Sequence, residues 1–186
     1  MESLFKNEIK QKLGGRNLFL IGMMGSGKST IGKYLAKSLR YKYIDIDKMI
    51  EELLRKDIKT IFLENGEEEF RRIEFEVLQQ ISTLHSCVIS TGGGIVVRTQ
   101  NWGCLRQGIV IWLNVEKSIL IERLKKDYNN RPLIEINNIE NTVNQILVDR
   151  KSLYNQADLQ CNLSNESPEK VTNIIIQNLS KLISSD

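Results

Sequence analysis

The sequence predicts an α/β protein in which a parallel β-sheet is covered by helices on both faces. Short apolar runs alternate along the chain with longer segments of helical periodicity, which is the pattern of strands joined by crossover helices. Glycine-rich turns follow two of these runs, at positions where parallel sheets present their carboxyl ends to ligands. Because the 186 residues contain no internal repeat or domain linker, we expect one domain over residues 1–186.

The composition is ordinary for a soluble globular enzyme, and the slightly positive charge suits a protein that handles anionic ligands. Hydrophobic residues make up 41% and charged residues 26%, and the net charge of +3 is scattered along the chain, which argues against nucleic-acid binding. No run approaches the roughly 18 apolar residues that a membrane span requires. Three cysteines without metal-ligand spacing fit the reduced thiols of a cytoplasmic protein.

The apolar runs place five strands in the chain, and helical patterns fill most of the sequence between them. The predicted strands are 17–21, 41–46, 86–90, 108–114 and 158–163. The predicted helices are 29–39, 47–81 with a break at Asn65-Gly66, 116–126, 139–156, and one that starts at Pro168 with Ser167 as its N-cap. We interpret residues 1–16 as a short amphipathic extension. The polar stretch 126–138 has too few apolar residues to pack and is a candidate lid.

The stretch "GMMGSGKS", Gly22 to Ser29, fits the pattern G-x-x-x-x-G-K-[ST] between a strand and a helix. Its glycines let backbone N–H groups converge on phosphate oxygens, beside the positive end of the helix dipole. Lys28 would reach the β- and γ-phosphates, and the Ser29 hydroxyl would ligate Mg²⁺. An ordinary glycine-rich turn is the alternative. The agreement of strand, pattern and helix favours a nucleoside triphosphate site.

Two aspartates follow the second apolar run, in "YIDID". If the strand continues through both, Asp45 and Asp47 point to the same side, close to the phosphates. We predict that one faces the water shell of Mg²⁺ and that the other faces the group to be phosphorylated. The alternative is a helix N-cap, which accounts for Asp47 alone and not for the pair.

Two arginines lie on predicted helices. Arg71 comes four residues after Glu67 and three before Glu74, and from this spacing alone an exposed ion pair is the preferred interpretation. Arg150 falls within the apolar stripe of the helix 139–156, where a charge is costly unless an anion pairs with it. An internal salt bridge and a ligand carboxylate satisfy that requirement equally well.

Three glycines, Gly92, Gly93 and Gly94, follow the third strand. Three in a row indicate backbone that approaches a ligand closely, although a flexible turn also fits. Arg131 lies in the polar stretch, from which it could close over the phosphates and stabilise charge in transfer. Taken in isolation, it would be an ordinary surface arginine.

The ordered set "GMMGSGKST", "DID", "GEEEFRRIE", "TGGG", "RPL" and "DRKSLY" resembles shikimate kinases, from about Asn17 to the last helix. The resemblance implies a P-loop fold of the nucleoside-monophosphate-kinase type, with five parallel strands in the order 2-3-1-4-5. It implies that MgATP phosphorylates the 3-hydroxyl of shikimate, on the route to chorismate and the aromatic amino acids. We also expect a cytoplasmic monomer with no nucleic-acid or membrane partner.

The resemblance further implies a role for each residue that matches a family motif. Asp47, Lys28 and Arg131 would be catalytic. Mg²⁺, one ion per ATP, would be held by Ser29 and, through water, by Asp45. Shikimate would bind in the segment of about 45–81 and beyond it, to Asp47, Arg71, Glu74 as a brace of Arg71, Gly92, Gly93, Gly94 and Arg150. ATP would contact Gly25, Ser26, Gly27, Lys28, Ser29, Thr30, Arg131, Arg123 and Pro168.

The likeness departs from the family pattern at the adenine site. Asn162 stands where an aspartate is frequent, and the spacing expected for the arginine that stacks on adenine falls on Leu124, next to Arg123. Two other functions stay open: a different hydroxy-acid kinase, such as a gluconate kinase, or a non-catalytic relative that binds nucleotide. The "FRRIE" segment, the three glycines and "DRKSLY" favour shikimate. A non-catalytic relative would be expected to lose Asp47 or one of the two arginines.

Overall fold

Five parallel strands form the central sheet, in the order β2-β3-β1-β4-β5. The computed structural model describes residues 2–126 and 138–184. The strands are β1 (Leu18–Ile21), β2 (Lys42–Asp45), β3 (Cys87–Ser90), β4 (Ile109–Val115) and β5 (Leu159–Leu163). The fold class and the strand order are therefore confirmed, and each predicted strand overlaps an observed one.

Helices connect the strands and cover both faces of the sheet. In the described residues they are α1 (Glu2–Leu13), α2 (Lys28–Leu39), α3 (Ile46–Leu54), α4 (Ile58–Ser82), a 3₁₀ turn (Ile95–Val97), α5 (Thr99–Leu105), α6 (Lys117–Lys126), α7 (Ile139–Tyr154) and α8 (Pro168–Leu182). The predicted start of α8 is confirmed, since the Ser167 Oγ accepts a hydrogen bond from the Lys170 N–H. The predicted break is confirmed as well, since Gly66 has φ 79° and ψ 169° inside α4.

The strand β2 passes directly into α3, and this junction corrects the prediction for the aspartate pair. The strand ends at Asp45, which is the N-cap of α3, and Asp47 lies in the first helical turn. The two side chains therefore do not share a strand face, and the expectation based on strand alternation is wrong. The alternative in which Asp47 caps the helix is also wrong, because Asp45 accepts the capping hydrogen bond from Lys48.

Two apolar clusters lie on the two faces of the sheet, and β1 contributes to both of them. Leu18 and Leu20 belong to one cluster, while Phe19 and Ile21 belong to the other, as the two-residue period of a strand requires. All four residues are buried, which is typical of a central strand in a parallel sheet covered on both sides. The carboxyl ends of the strands are therefore supported by a buried apolar core on both faces of the sheet.

The N-terminal helix packs on one of these clusters. Ile9 and Leu13 of α1 are fully buried among residues of α2 and α8. The segment predicted as an extension is thus part of the folded core. Within the described residues, no helix is both long and apolar enough to cross a membrane.

Candidate active site

The turn between β1 and α2 wraps around the Lys28 ammonium group. The Lys28 Nζ donates hydrogen bonds to the carbonyl oxygens of Gly22 and Met23, over 2.8 and 3.0 Å. Gly22 has φ 142°, and a Cβ at this position would lie 2.8 Å from the Leu113 carbonyl oxygen, so glycine is required there. At Gly27 no side chain caps α2, which leaves the first N–H groups of the helix available to an anion.

A cavity of about 400 Å³ opens over this turn and brings most of the predicted nucleotide residues together. Its lining includes Gly25, Ser26, Gly27, Lys28, Ser29, Thr30, Arg123 and Pro168. The Arg123 Nη1 donates to the Gly25 carbonyl oxygen over 3.2 Å, and Leu124 also lines the cavity. The structure thus places Arg123 at the phosphate turn, while the Leu124 side chain is part of the apolar wall.

The lining of this cavity also includes residues that were not among those predicted to contact ATP. Val115, Leu163 and Val171 supply apolar surface, and Glu166 lines the cavity with its Oε2 held by the Ser164 N–H over 2.7 Å. Asn162 does not line it, because its side-chain oxygen accepts hydrogen bonds from Asn114 and Gln160 instead. The departure at Asn162 therefore does not change the described lining of the cavity.

A short chain of hydrogen bonds joins the phosphate turn to the end of β2. The Ser29 Oγ donates to the Asp45 Oδ2 over 2.7 Å, and the Tyr43 hydroxyl donates to the same oxygen over 2.8 Å. Burial, the larger cause, and the neighbouring Asp45 raise the pKa of Tyr43 to about 12, so the phenol keeps its proton. The sequence pattern did not indicate a role for Tyr43. Its hydroxyl acts through Asp45, which lies two positions later in the chain.

A second cavity of about 680 Å³ adjoins the first. Met24, Ser29, Asp47 and Gly93 line both cavities, so a ligand in one would meet a ligand in the other at these residues. All the predicted acceptor residues line the second cavity: Asp47, Arg71, Glu74, Gly92, Gly93, Gly94 and Arg150. These residues are far apart in the sequence. The sheet brings them together, because α3, α4, the turn after β3 and α7 all lie at one edge of it.

The Arg71 guanidinium is buried and binds two carboxylates. The interpretation of Arg71 as a member of an exposed ion pair is therefore wrong. Its Nη1 donates to the Glu74 Oε2 over 2.7 Å, and its Nη2 donates to the Glu67 Oε1 over 3.1 Å. The Arg71 side chain is 7% exposed and the Glu74 side chain 0%. Burial acts to lower the pKa of Arg71, but Glu74 and Glu67 more than offset it and raise that pKa. The guanidinium is therefore permanently charged at the cavity wall.

Glu74 has one oxygen without a hydrogen-bond partner among the described residues. This atom, Oε1, is buried, while the Oε2 binds Arg71. Burial raises the pKa of Glu74, Arg71 opposes that shift, and the nearby Asp47 adds to it. A Cβ at Gly92 would lie 2.6 Å from this Oε1 and 2.9 Å from the Asp47 Oδ1. The first glycine after β3 thus lets two carboxylates approach the backbone closely, and a larger residue there would displace them.

Arg150 is half-buried and aims at the same wall from α7. Its Nη1 donates to the Gly93 carbonyl oxygen over 2.9 Å, and the Tyr154 hydroxyl donates to that same oxygen over 2.9 Å. Among residues 2–126 and 138–184 the guanidinium makes no salt bridge, so the internal ion pair left open by the sequence is not found there. Its charge is available to an anion in the cavity.

Phe62 and Phe70 supply apolar surface to the second cavity, and the Arg71 Cζ lies 5.3 Å from the Phe70 ring centroid. Their ring centroids are 4.6 Å apart on either side of the break at Gly66. Arg131 and most of the proposed lid 126–138 lie outside the described residues, so the expectations for them stay predictions.

The donor set beside the phosphate turn fits a magnesium ion. Ser29 and Asp45 offer oxygen atoms, which Mg²⁺ prefers; Ser29 lines both cavities and Asp45 lines the second. No group of three or more His, Cys, Asp or Glu residues that could hold a metal occurs in the described part of the chain. Mg²⁺ typically takes one or two protein ligands and completes its shell with phosphate and water.

Comparisons with known proteins agree with this geometry. A family model described as "Shikimate kinase" matches residues 24–180. A shikimate kinase of the cyanobacterium Prochlorococcus marinus is 46% identical over 95% of this chain and 94% of its own length. The solved shikimate kinase from Acinetobacter baumannii in complex with shikimate superposes with a TM-score of 0.88 at 30% identity, over 93% of this chain and 97% of that one.

A gluconokinase from Sinorhizobium meliloti superposes with a TM-score of 0.56 over 92% of this chain and 95% of that one. Its identity is only 12%, so this likeness concerns the fold alone. With a family match over most of its length and a relative at 46% identity, the chain belongs to the shikimate kinase family.

Proposed function

We propose that this protein transfers the γ-phosphate of ATP to the 3-hydroxyl of shikimate, giving shikimate 3-phosphate and ADP. The observation that carries the proposal is the second cavity. It combines two guanidinium groups, Arg71 and Arg150, with a carboxylate, Asp47, at the border with the phosphate turn. Two cations for a carboxylate and one anion for hydroxyl groups describe a polyhydroxy acid as acceptor.

The nucleotide would bind with its phosphates over the turn 22–27 and its base toward Leu163 and Pro168. Lys28 now donates to two carbonyl oxygens of the turn, and it would exchange these for the β- and γ-phosphates. Arg123, fixed on the Gly25 carbonyl oxygen, lies at the entrance to the same cavity. We infer that it contacts the nucleotide there.

We propose that Ser29 and, through water, Asp45 hold the Mg²⁺ of MgATP. The ion would neutralise charge on the phosphates during transfer. Asp45 accepts hydrogen bonds from Ser29 and Tyr43, which fixes its carboxylate toward the phosphate turn. Asp45 thus has the position and the chemistry to orient water beside the Ser29 hydroxyl.

The acceptor would be held by its carboxylate and presented by its hydroxyl groups. Arg150 would exchange the Gly93 carbonyl oxygen for the substrate carboxylate, and Arg71, braced by Glu74, would bind the same carboxylate. Asp47 borders both cavities and would accept the proton of the attacking hydroxyl. Phe62 and Phe70 would pack against the apolar face of the ring.

The other hydroxy-acid kinase is not favoured, because the gluconokinase likeness does not extend beyond the fold. A non-catalytic relative is not favoured either, since Lys28, Asp47, Arg71 and Arg150 are all in place around two connected cavities.

A substrate panel tests the proposal. ADP release from MgATP should be measured with shikimate, gluconate and AMP as acceptors, and the position of the new phosphate should be determined by NMR. Of the three acceptors, we expect only shikimate to support turnover, with the new phosphate on its 3-hydroxyl. Comparable turnover with gluconate, or none with any acceptor, would contradict the proposal. Lys151→Ala, an exposed neighbour of Arg150, serves as a control that should match the wild type.

A further inference from the structure

The Asp45 carboxylate is held by three donors of unequal quality. Its Oδ2 accepts from the Ser29 hydroxyl over 2.7 Å and from the Tyr43 hydroxyl over 2.8 Å. Its Oδ1 accepts from the Lys48 N–H over 3.4 Å, which is a long capping bond to the start of α3. The short hydrogen bonds therefore point toward the phosphate turn, and the weak one points toward the helix.

This geometry reflects two competing demands on one side chain. An N-cap aspartate lowers the free energy of its helix most when it turns fully toward the N–H groups of the first turn. A carboxylate that serves the phosphate site must instead face Ser29. The Tyr43 hydroxyl adds a second donor on the Ser29 side, so the side chain is kept in the orientation that is poorer for capping.

The Tyr43 ring is itself fixed by its packing against α2. A Cβ at Gly32 would lie 2.6 Å from the Tyr43 Cε2, so the ring occupies the space left by that glycine. The Lys33 ammonium nitrogen lies 6.0 Å from the ring centroid. With its ring held in this way, the hydroxyl has a defined position relative to Asp45.

We propose that Tyr43 is a positioning residue of the metal site: its hydroxyl keeps the Asp45 carboxylate turned toward Ser29, where that carboxylate orients water of the bound Mg²⁺. The inference rests on the proposed site of Mg²⁺ at Ser29 and Asp45. Tyr43 itself lines neither cavity, so it would act on the nucleotide only through Asp45.

The substitution Tyr43→Phe removes the hydroxyl and keeps the ring in the space beside Gly32. The dissociation constant of ADP should be measured by calorimetry with Mg²⁺ and again with EDTA. We expect the strengthening of ADP binding by Mg²⁺ to fall about tenfold in the variant, as is typical when an outer partner of a metal ligand is removed. Binding of Mg²⁺-free ADP should not change. The melting temperature should stay within about 2 °C, because Asp45 can then turn toward α3 and cap it better.

Tyr41→Phe is the matched control, since Tyr41 precedes β2 at the end of the strand opposite to Asp45. It should leave both ADP constants unchanged. A Tyr43→Phe variant with the full effect of Mg²⁺, or with an equal loss for Mg²⁺-free ADP, would overturn the inference. So would a further loss on adding Tyr43→Phe to Asp45→Ala, because Tyr43 would then act independently of Asp45. A wild-type protein whose ADP affinity ignores Mg²⁺ would instead overturn the metal site itself.

Discussion

The two cavities that meet at Asp47 and Gly93 are built in different ways. The phosphate end of the nucleotide cavity is formed by one stretch of chain, residues 24–31, whose glycines, backbone N–H groups and single lysine surround the space for the phosphates. The acceptor cavity takes its charged groups from α3, α4, the turn after β3 and α7. One site is thus a local motif, and the other depends on the whole fold.

The two cavities also differ in how they handle charge. The nucleotide side relies on backbone dipoles and on Lys28, whose ammonium group donates to two carbonyl oxygens of the turn. The acceptor side buries Arg71 and Glu74 together, each dependent on the other. Substitutions on the acceptor side should therefore divide into those that affect chemistry, those that affect stability and those that affect binding.

The largest effect is expected at Asp47, where the two cavities join. Asp47→Asn keeps the shape of the side chain but cannot accept the hydroxyl proton. We expect kcat to fall by about 10²- to 10⁴-fold, as is typical for loss of a general base. ADP affinity and melting temperature should change little. Glu52→Gln, on the exposed side of the same helix, is the control. A variant with near wild-type kcat would remove Asp47 from the catalytic role.

Arg71 should affect stability more than any other residue of the acceptor cavity. Arg71→Met leaves Glu74 buried without its cation, and breaking a buried pair in this way costs about 3–5 kcal/mol in the free energy of unfolding. Urea unfolding measures the loss. The neighbouring Arg72→Met provides the contrast, because Arg72 is exposed and its pairs with Glu69 and Glu76 contribute little. Equal losses in the two variants would mean that the buried pair is not what stabilises this wall.

Arg150 should affect binding and leave stability nearly unchanged. Its guanidinium is half-buried and is held by the Gly93 carbonyl oxygen, which keeps the Tyr154 hydroxyl as a second partner. Arg150→Ala should therefore raise the KM for shikimate about ten- to hundredfold, the equivalent of one charge-assisted bond, with the KM for ATP unchanged. A fall in melting temperature that is the same with and without shikimate would point to a structural role instead.

The different construction of the two cavities explains what could be predicted from sequence. Gly22 to Ser29 could be interpreted directly, because the spacing of a contiguous turn determines its geometry. The strands could be predicted from apolar periodicity, and the break in α4 could be predicted from the glycine at position 66. Arg71 could not be interpreted from its spacing, because the same i,i+3 and i,i+4 pairs occur on exposed helices. Only the docking of α4 on the sheet decides that Arg71 and Glu74 are buried.

Two errors in the sequence-based predictions have local causes. Asp45 and Asp47 were expected on one strand face, but "IDKMIEELL" begins a helix one residue earlier than its apolar pattern indicates, with Asp45 as cap. Tyr43 was overlooked because its contact with Asp45 depends on the space beside Gly32, which appears only when α2 packs on β2. The first error arose at the junction of a strand and a helix, and the second from packing between two elements that are separate in the chain.

The smallest effect expected is a change in the pH dependence of stability at Glu74. Burial raises the pKa of this carboxyl above its ordinary value, so the folded protein binds the proton more tightly than the unfolded chain does. The resulting stabilisation is complete below the unfolded pKa and is lost as pH rises through the folded pKa. Glu74→Gln cannot ionise and should not show this loss. Melting temperatures of the two proteins between pH 4 and about 8 should therefore differ increasingly in favour of the variant as pH rises. Glu76→Gln, an exposed change on the same helix, should leave the wild-type profile unchanged. Parallel profiles for wild type and Glu74→Gln would mean that the Arg71 cation cancels the effect of burial on this carboxyl.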